Sequence, residues 1–395
     1  MKQRRSSLGS VFLTVVIDLL GFGIVLPLLP LYGDAYGAPK WVLGLLFSSF
    51  SAMQFLTAPI WGRLSDRHGR RPVILLGLVG STLAYGLFAV APLLSAPLTW
   101  LFVSRILAGG FGGTIAAAQA YIADVTPPEK RGKSMALIGV AFGLGFTIGP
   151  AIGGLSFEYM GETGPGLIAA GLSFLALVYA WSKLGEPERH AKQRSHGWID
   201  TEALKAAART PGVLALLGAA FITTICFGLF ESTLSLLAKD QYDFRVGKVG
   251  WLFSYVGFCS LISQGVIVRR LITRVGEVAL LIAGPILIAV GFVGLAMIPS
   301  FGLLLAIAPL PVLGVGCVMP SVSSLLSRRT SAGHQGAVLG VNQSSQSLAR
   351  IIGPFVGLTM YAWGPGLPFF VGAGVVLLGL GCALVVKARP VEDRY

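Results

Sequence analysis

Apolar runs of bilayer-crossing length recur along almost the whole chain, and no other feature constrains the fold so tightly. A helix needs about 20 predominantly apolar residues to cross the hydrocarbon core, where no water can satisfy a bare backbone. Read against their charged and Pro/Gly punctuation, the runs number twelve, at roughly 9–32, 41–62, 73–93, 97–120, 134–157, 163–183, 212–238, 248–268, 278–298, 301–325, 335–359 and 365–387. The expected fold class is an all-α membrane protein of twelve transmembrane helices. Only 12% of the residues are charged while 53 are glycine, which suits closely packed membrane helices and not a soluble domain. The start, "MKQRRSSLGS", has the charge of a signal-peptide n-region. The apolar stretch after it is of spanning length, carries Asp18 and lacks a small-x-small cleavage site, so it reads as a retained first span.

The net charge of +13 does not point to nucleic acid, because the basic residues recur at the ends of apolar runs and form no patch. With the N-terminus in the cytoplasm, all but six of the 30 Lys and Arg fall on cytoplasmic segments. Lys40, Lys239, Arg245 and Lys248 lie outside, and Arg105 and Arg350 lie within spans. That bias predicts cytoplasmic termini at both ends. The longest loop, 184–211, contains the amphipathic-looking "WIDTEALKAAAR" and separates a six-helix bundle at 1–183 from another at 212–395. The bundles resemble each other: "LPLLP" (26–30) matches "LSLLA" (234–238), "GLLFSSF" (44–50) matches "GWLFSYV" (250–256), "RLSDRHG" (63–69) matches "RLITRVG" (270–276), and "GPAIG" (149–153) matches "GPFVG" (353–357). The offset stays between 204 and 208 residues, which marks a duplicated unit of the kind parallel-repeat transporters use. Four cysteines (Cys226, Cys259, Cys317, Cys382) sit in apolar runs without paired spacing, so neither disulfides nor a metal site is expected.

Five of the eleven residues in "GRLSDRHGRRP" (62–72) are Arg or Asp, between two apolar spans. With twelve spans and a 6+6 repeat, this loop resembles the signature of the major facilitator superfamily between its second and third helices. The resemblance implies alternating access and a cytoplasmic gate made by Gly62, Asp66, Arg67, Arg70, Arg71 and Asp124. Gly62 would allow close helix approach, Asp66 would face the positive end of a partner helix, and Arg70 would fork onto Asp124 in "YIADVTPPEKRG". A purely topological role would need the cations but no fixed Asp or Gly. The second copy, "RLITRVGE", has Thr273 in place of Asp66, so the latch is expected on one side only.

"GFTIGPAIGG" (145–154) resembles the fifth-helix motif of drug:proton antiporters, with Gly145, Gly149, Pro150, Gly153 and Gly154 in its fixed places. Its four-residue glycine spacing makes a flat face, and Pro150 softens the helix at the expected domain interface. "LGFGIVLPLLP" (20–30) and "RILAGGFGG" (105–113) are similar to further motifs of the same group. The likeness is to bacterial tetracycline-efflux and multidrug antiporters. Tetracycline pumps carry an acid in the third span just before a Tyr; here Ala84 precedes Tyr85. Their eighth-span His is replaced near Ser260, and the ninth span has no acid.

Ionisable groups at bilayer depth cost about 2.5–3.5 kcal/mol on insertion scales, so each is a candidate functional group. Asp18, Glu231 and Arg105 are the candidates for proton coupling, since a carboxylate whose surroundings alternate can pick up and release a proton. A helix–helix hydrogen bond is the plain alternative for Asp18, and snorkelling to the outer surface for Glu231. Asn342, Gln346 and Arg350 form a stripe at i, i+4 and i+8, facing either substrate or Gln54 across the domain interface. Gln119 shares Arg105's face, and Thr224 and Phe227 share Glu231's, as cavity candidates. The function expected is a proton-coupled antiporter exporting amphipathic small molecules (multidrug efflux) from the bacterial inner membrane. It would act as a monomer with no cofactor beyond the proton gradient. The alternative is a metabolite symporter or facilitator of the same fold, carrying a sugar, organic acid or peptide-like solute. Catalysis is not indicated: there is no Ser/His/Asp set or nucleotide loop, and all four His lie in loops.

Overall fold

The computed structural model describes residues 8–127, 130–187, 212–297, 300–330 and 335–388. The amphipathic segment 198–209 lies outside them. Regular structure among the described residues is all helical, with sixteen α-helices and short 3-10 and π segments. Ten stretches among the described residues are long and apolar enough to cross a membrane, so this is a multi-pass membrane protein.

Helix α1 (Leu8–Val25) passes through a 3-10 turn at Leu26–Leu28 into α2 (Leu29–Ala35). Pro27 and Pro30 withhold two backbone donors there, which is why a straight helix does not continue. Helix α3 (Lys40–His68) ends at Gly69, whose φ of 111° is open to glycine but strained for other residues, and α4 (Arg70–Val90) follows at once. Helices α5 (Pro97–Gly110) and α6 (Thr114–Val125) come next, then α7 (Arg131–Met160) and α8 (Gly164–Lys183). The last two share one 47-residue candidate stretch, Leu137–Lys183, and reverse at Gly161. After the central loop come α9 (Val213–Tyr242), α10 (Val246–Ile262), α11 (Arg269–Val275) and α12 (Glu277–Met297). Helices α13 (Phe301–Ile307), α14 (Pro309–Arg329), α15 (Gln335–Tyr361) and α16 (Leu367–Ala388) complete the chain. Helix α15 is not among the ten candidate stretches. Its first half carries Asn342, Gln343 and Gln346, which dilute its hydropathy.

Three expected single helices are interrupted. The 97–120 run breaks at Phe111–Gly113, the 301–325 run at Ala308, and the 248–268 run turns π-helical over Ser263–Val268. The first break follows from "AGGFGG": glycine stabilises a helix least, and donors on α3 satisfy the carbonyls that the break frees. Trp61 Nε1 donates to Gly110 O at 2.6 Å, Gln54 Nε2 to Gly112 O at 3.3 Å and Thr57 Oγ1 to Gly109 O at 3.4 Å.

The described residues pack as two units, one drawn from Met1–Ser195 and Ala238–Phe258, the other from His196–Leu237 and Cys259–Tyr395. The first centres on Val15, Leu19, Ile74, Leu78, Ala118 and Tyr121, the second on Leu216, Ala220, Leu281, Val318, Val322 and Ala383. Lipid is as apolar as leucine, so helices in it associate by close packing of small residues. Each unit shows that at the repeated Gly-Pro motif. A methyl on Gly149 of α7 would lie 2.7 Å from Gly23 C on α1, and one on Gly353 of α15 would lie 2.5 Å from Ile225 O on α9.

Candidate functional site

The charged loop forms a compact network at the α3–α4 junction. Arg70 is its hub: Nη1 donates to Asp66 Oδ1 at 2.6 Å and to Ser65 Oγ at 3.1 Å, and Nε donates to Asp124 Oδ2 at 3.0 Å. Arg70 and Asp124 are both largely buried, so their attraction is screened less than that of a surface pair. One guanidinium thus ties the end of α3 to the end of α6.

A residue that sequence reasoning missed completes the junction. Glu186, just past α8, accepts the backbone N–H of Arg70 at 2.7 Å and that of Arg71 at 3.0 Å. The first N–H groups of a helix lack internal partners and sit at its positive end, so a carboxylate is the natural acceptor. Gly69 makes room for it, since any Cβ there would collide with the Glu186 carboxylate. Arg71 reaches the other way: Nη2 donates to Trp181 O at 3.1 Å and the guanidinium lies 5.6 Å from the indole centroid. Arg67 is exposed. At Gly62, where a close approach was expected, a methyl would meet nothing within 4 Å among the described residues. The motif's tight contact falls at Gly69 instead.

The second unit carries an ion pair near the matching place. Glu277 follows Gly276 (φ 82°) as Arg70 follows Gly69. It accepts from Ser324 Oγ at 2.9 Å and pairs with Arg328 at 3.4 Å. The polarity is inverted, with the acid on α12 and the base on α14.

Polar groups also collect inside the first unit. Asp18 of α1 is half-buried; its Oδ1 is sealed from solvent without a hydrogen-bond partner, and Ser81 of α4 and Ser173 of α8 flank the carboxylate. Arg105 of α5 is only 1% exposed. Its guanidinium lies 5.4 Å from the Tyr85 ring centroid and 5.2 Å from that of Phe88, and Nη2 donates to Ser104 Oγ at 3.2 Å. Ser104 Oγ in turn donates to Ala84 O at 2.8 Å. No carboxylate is within ion-pair distance of Arg105 among the described residues, and aromatic faces take that place. Gln119 is exposed on α6, past the break at Phe111–Gly113.

Helix α7 uses two faces of the glycine–proline motif. Methyls on Gly145, Gly149 and Gly153 would fall within 2.7 Å of backbone atoms of Leu19, Gly23 and Ile24 on α1. One residue round, Pro150 and Gly154 contact Gly250 and Gly247 of α10, and Phe146 contacts Gly257. The glycine face expected at the domain interface therefore packs on α1, within its own unit, and the adjacent face meets α10.

In the second unit, Glu231 of α9 has Arg350 of α15 as its charged neighbour, a pairing not read from the sequence. Arg350 Nη2 donates to Ser347 Oγ at 3.0 Å. Gln346 is half-buried, while Asn342 is 5% exposed and its Oδ1 is unpartnered. Thr224 is buried and bonds back to Ala220 O, so its hydroxyl is already used, and Phe227 stacks obliquely near Phe230. Gln54, considered as a partner for Arg350, spends its amide on Gly112 O.

The Major Facilitator Superfamily model matches residues 11–354 and 219–394. The chain belongs to the Major Facilitator Superfamily. Class C tetracycline resistance protein from Escherichia coli is 32% identical over 381 residues, covering 93% of each chain. Major facilitator superfamily domain-containing protein 10 from Homo sapiens is 33% identical over 408 residues, covering 89% of this chain and 86% of that one. The crystal structure of the human organic anion transporter MFSD10 (TETRAN) superposes with a TM-score of 0.71 at 28% identity, over 95% of this chain and 98% of that one. The protein is thus a membrane transporter and not an enzyme.

Proposed function

We propose that the chain is a twelve-helix, proton-coupled antiporter of the bacterial inner membrane, with both termini cytoplasmic, exporting small amphipathic molecules by alternating access between its 1–183 and 212–395 bundles. The observation that carries the reading is Asp18. It is a mid-span carboxylate held among Ser81, Ser173 and Tyr85, with one oxygen dry and unpartnered. A carboxylate so placed takes up or releases a proton when its surroundings change. Glu231 beside Arg350 offers the second bundle a comparable switch. The Arg70–Asp66–Asp124 network supplies the first bundle's part of the cytoplasmic gate, holding the α3–α4 junction against the end of α6. The likeness to tetracycline resistance proteins supports drug export.

A second reading rests on Arg105, a buried cation faced by rings and, among the described residues, by no carboxylate within ion-pair distance. That site favours an anionic or carboxylate-bearing cargo, and MFSD10 is described as an organic anion transporter. The deciding experiment is loss of an imposed pH gradient in everted vesicles, with cationic, neutral and anionic compounds added in turn. Proton release by several unrelated lipophilic cations supports multidrug antiport, and release by anions alone supports the second reading. Counterflow uptake with no proton movement would sink the proton coupling.

A further inference from the structure

The second unit holds a charged cluster that neither the gate nor the proton reading uses. The helical stretch from Val246 runs without interruption to Val275, through α10, the π segment Ser263–Val268 and α11. Its end reads "RRLITRVG" (269–276), and Arg269, Arg270 and Arg274 are all exposed. Among the described residues, none of these three side chains has an ion pair or a hydrogen bond. Glu277, the next acid along the chain, is taken by Ser324 and Arg328. The matching stretch of the first copy, "RLSDRHG", holds an acid at Asp66 where this one has Thr273. Thr273 Oγ1 donates to Arg270 O at 2.9 Å, so its hydroxyl is turned to the helix backbone. A helix end favours cations, but Arg270 and Arg274 stand one turn apart and repel each other. The cluster is short of an anion.

The residues before it say which kind. Ile262 and Val266 are 39% and 44% exposed, and Arg270 and Arg274 continue the same four-residue step. Four residues overshoot a 3.6-residue α turn and fall short of a π turn, so the π segment offsets the sideways drift. Two apolar and two cationic side chains thus follow one line along the helix, apolar within the span and cationic at its end. A soluble anion would meet the arginines alone. A phospholipid meets both halves of the line, its phosphate on the guanidinium forks and its chain on the apolar pair.

We propose that Arg270 and Arg274, with Arg269 beside them, bind the headgroup of an anionic phospholipid whose acyl chain lies along Val266 and Ile262. The lipid supplies the counter-charge that Thr273 does not. The site needs a bilayer around α10 and α11, but neither the cargo nor the protons of the export reading.

Native mass spectrometry of the full-length protein in detergent, titrated with phosphatidylglycerol or phosphatidylcholine, tests it. Phosphatidylglycerol should be held the more tightly of the two. Arg270→Gln with Arg274→Gln should weaken phosphatidylglycerol by about thirtyfold, at about fivefold for each arginine near an anionic surface, and leave phosphatidylcholine unchanged. Arg245→Gln with Lys248→Gln removes the same charge from exposed positions at the other end of the stretch and should alter neither lipid. Arg270→Lys with Arg274→Lys keeps the charge without the fork and should fall between. All the changed side chains are exposed, and a single monomer peak on size exclusion establishes the fold before titration. Unchanged affinity in the double glutamine variant would overturn the site. Equal weakening by the Arg245 and Lys248 changes would overturn it too, reducing the effect to overall charge. Displacement of phosphatidylglycerol by an equal concentration of inorganic phosphate would assign the arginines to a soluble anion instead. No transport enters the assay, so this result and the export reading stand or fall separately.

Discussion

Gly149→Ala tests whether the glycine–proline motif is a packing seat against α1. The added methyl would lie 2.7 Å from Gly23 C and 2.9 Å from both Gly23 Cα and Ile24 N. These are backbone atoms of a neighbouring helix, so no side chain can swing aside. Reaching ordinary contact at 3.4 Å needs a local shift of about 0.7 Å between α1 and α7. Overpacking of this kind costs about 1–3 kcal/mol. Alanine also gains about 0.5–1 kcal/mol of helix preference over glycine, which would blur a single measurement. Gly139→Ala, on the same helix with nothing within 4 Å, carries that gain without the clash. The gap between the two variants therefore isolates the clash at about 1–3 kcal/mol. At about 2–4 °C per kcal/mol for a unit of this size, Gly149→Ala should lose its monomer peak several degrees below Gly139→Ala. The assay is fluorescence-detected size exclusion after heating in one detergent at one rate, because membrane proteins unfold irreversibly and only matched scans compare. Equal midpoints would refute the seat and reduce the motif's glycines to lipid-facing positions.

Arg70→Lys keeps the charge but loses the fork that reaches Asp66, Ser65 and Asp124 together, so substrate efflux from intact cells should fall while protein level holds; unchanged efflux would remove the gate from Arg70. Glu186→Gln removes a full charge from the start of α4, at about 1 kcal/mol, and should speed exchange of the Arg70 and Arg71 amides about fivefold. Unaltered exchange there would mean that water caps the helix equally well. Asp18→Asn should abolish substrate-driven proton release from everted vesicles while leaving counterflow measurable, and Glu231→Gln is the parallel test in the second bundle. Proton release surviving in both would take these carboxylates out of coupling.

Much of the fold was legible because a bilayer leaves a chain few choices: runs of about 20 apolar residues become helices, and charges mark their ends. What escaped reading has a common physical origin, since the deciding partner stood far away in sequence. Gln54, Thr57 and Trp61 make the break after Gly110 tolerable from about fifty residues off. Glu186 caps α4 from 116 residues away, in a loop of mixed charge where one more acid carries no signal. Glu231 and Arg350 each stood out as a charge within a span, but nothing local joined them.

The second copy of the charged junction had a signal that was read too literally. The offset aligning "RLSDRHG" with "RLITRVG" carries Arg70 onto Glu277, and the one aligning "GPAIG" with "GPFVG" carries Asp124 onto Arg328. A search for the same letters finds Thr273 and reports a loss. Attraction between two side chains, however, does not depend on which of them bears the positive sign. Exchanging acid and base keeps the pair, and Glu277 also brings a negative charge to the positive end of its own helix, as Arg70 cannot. The first copy, with a base at that helix start, needs Glu186 to supply the missing carboxylate. Both copies therefore bring an acid to the helix that follows the positive-φ glycine, one from its own first residue and the other from past α8.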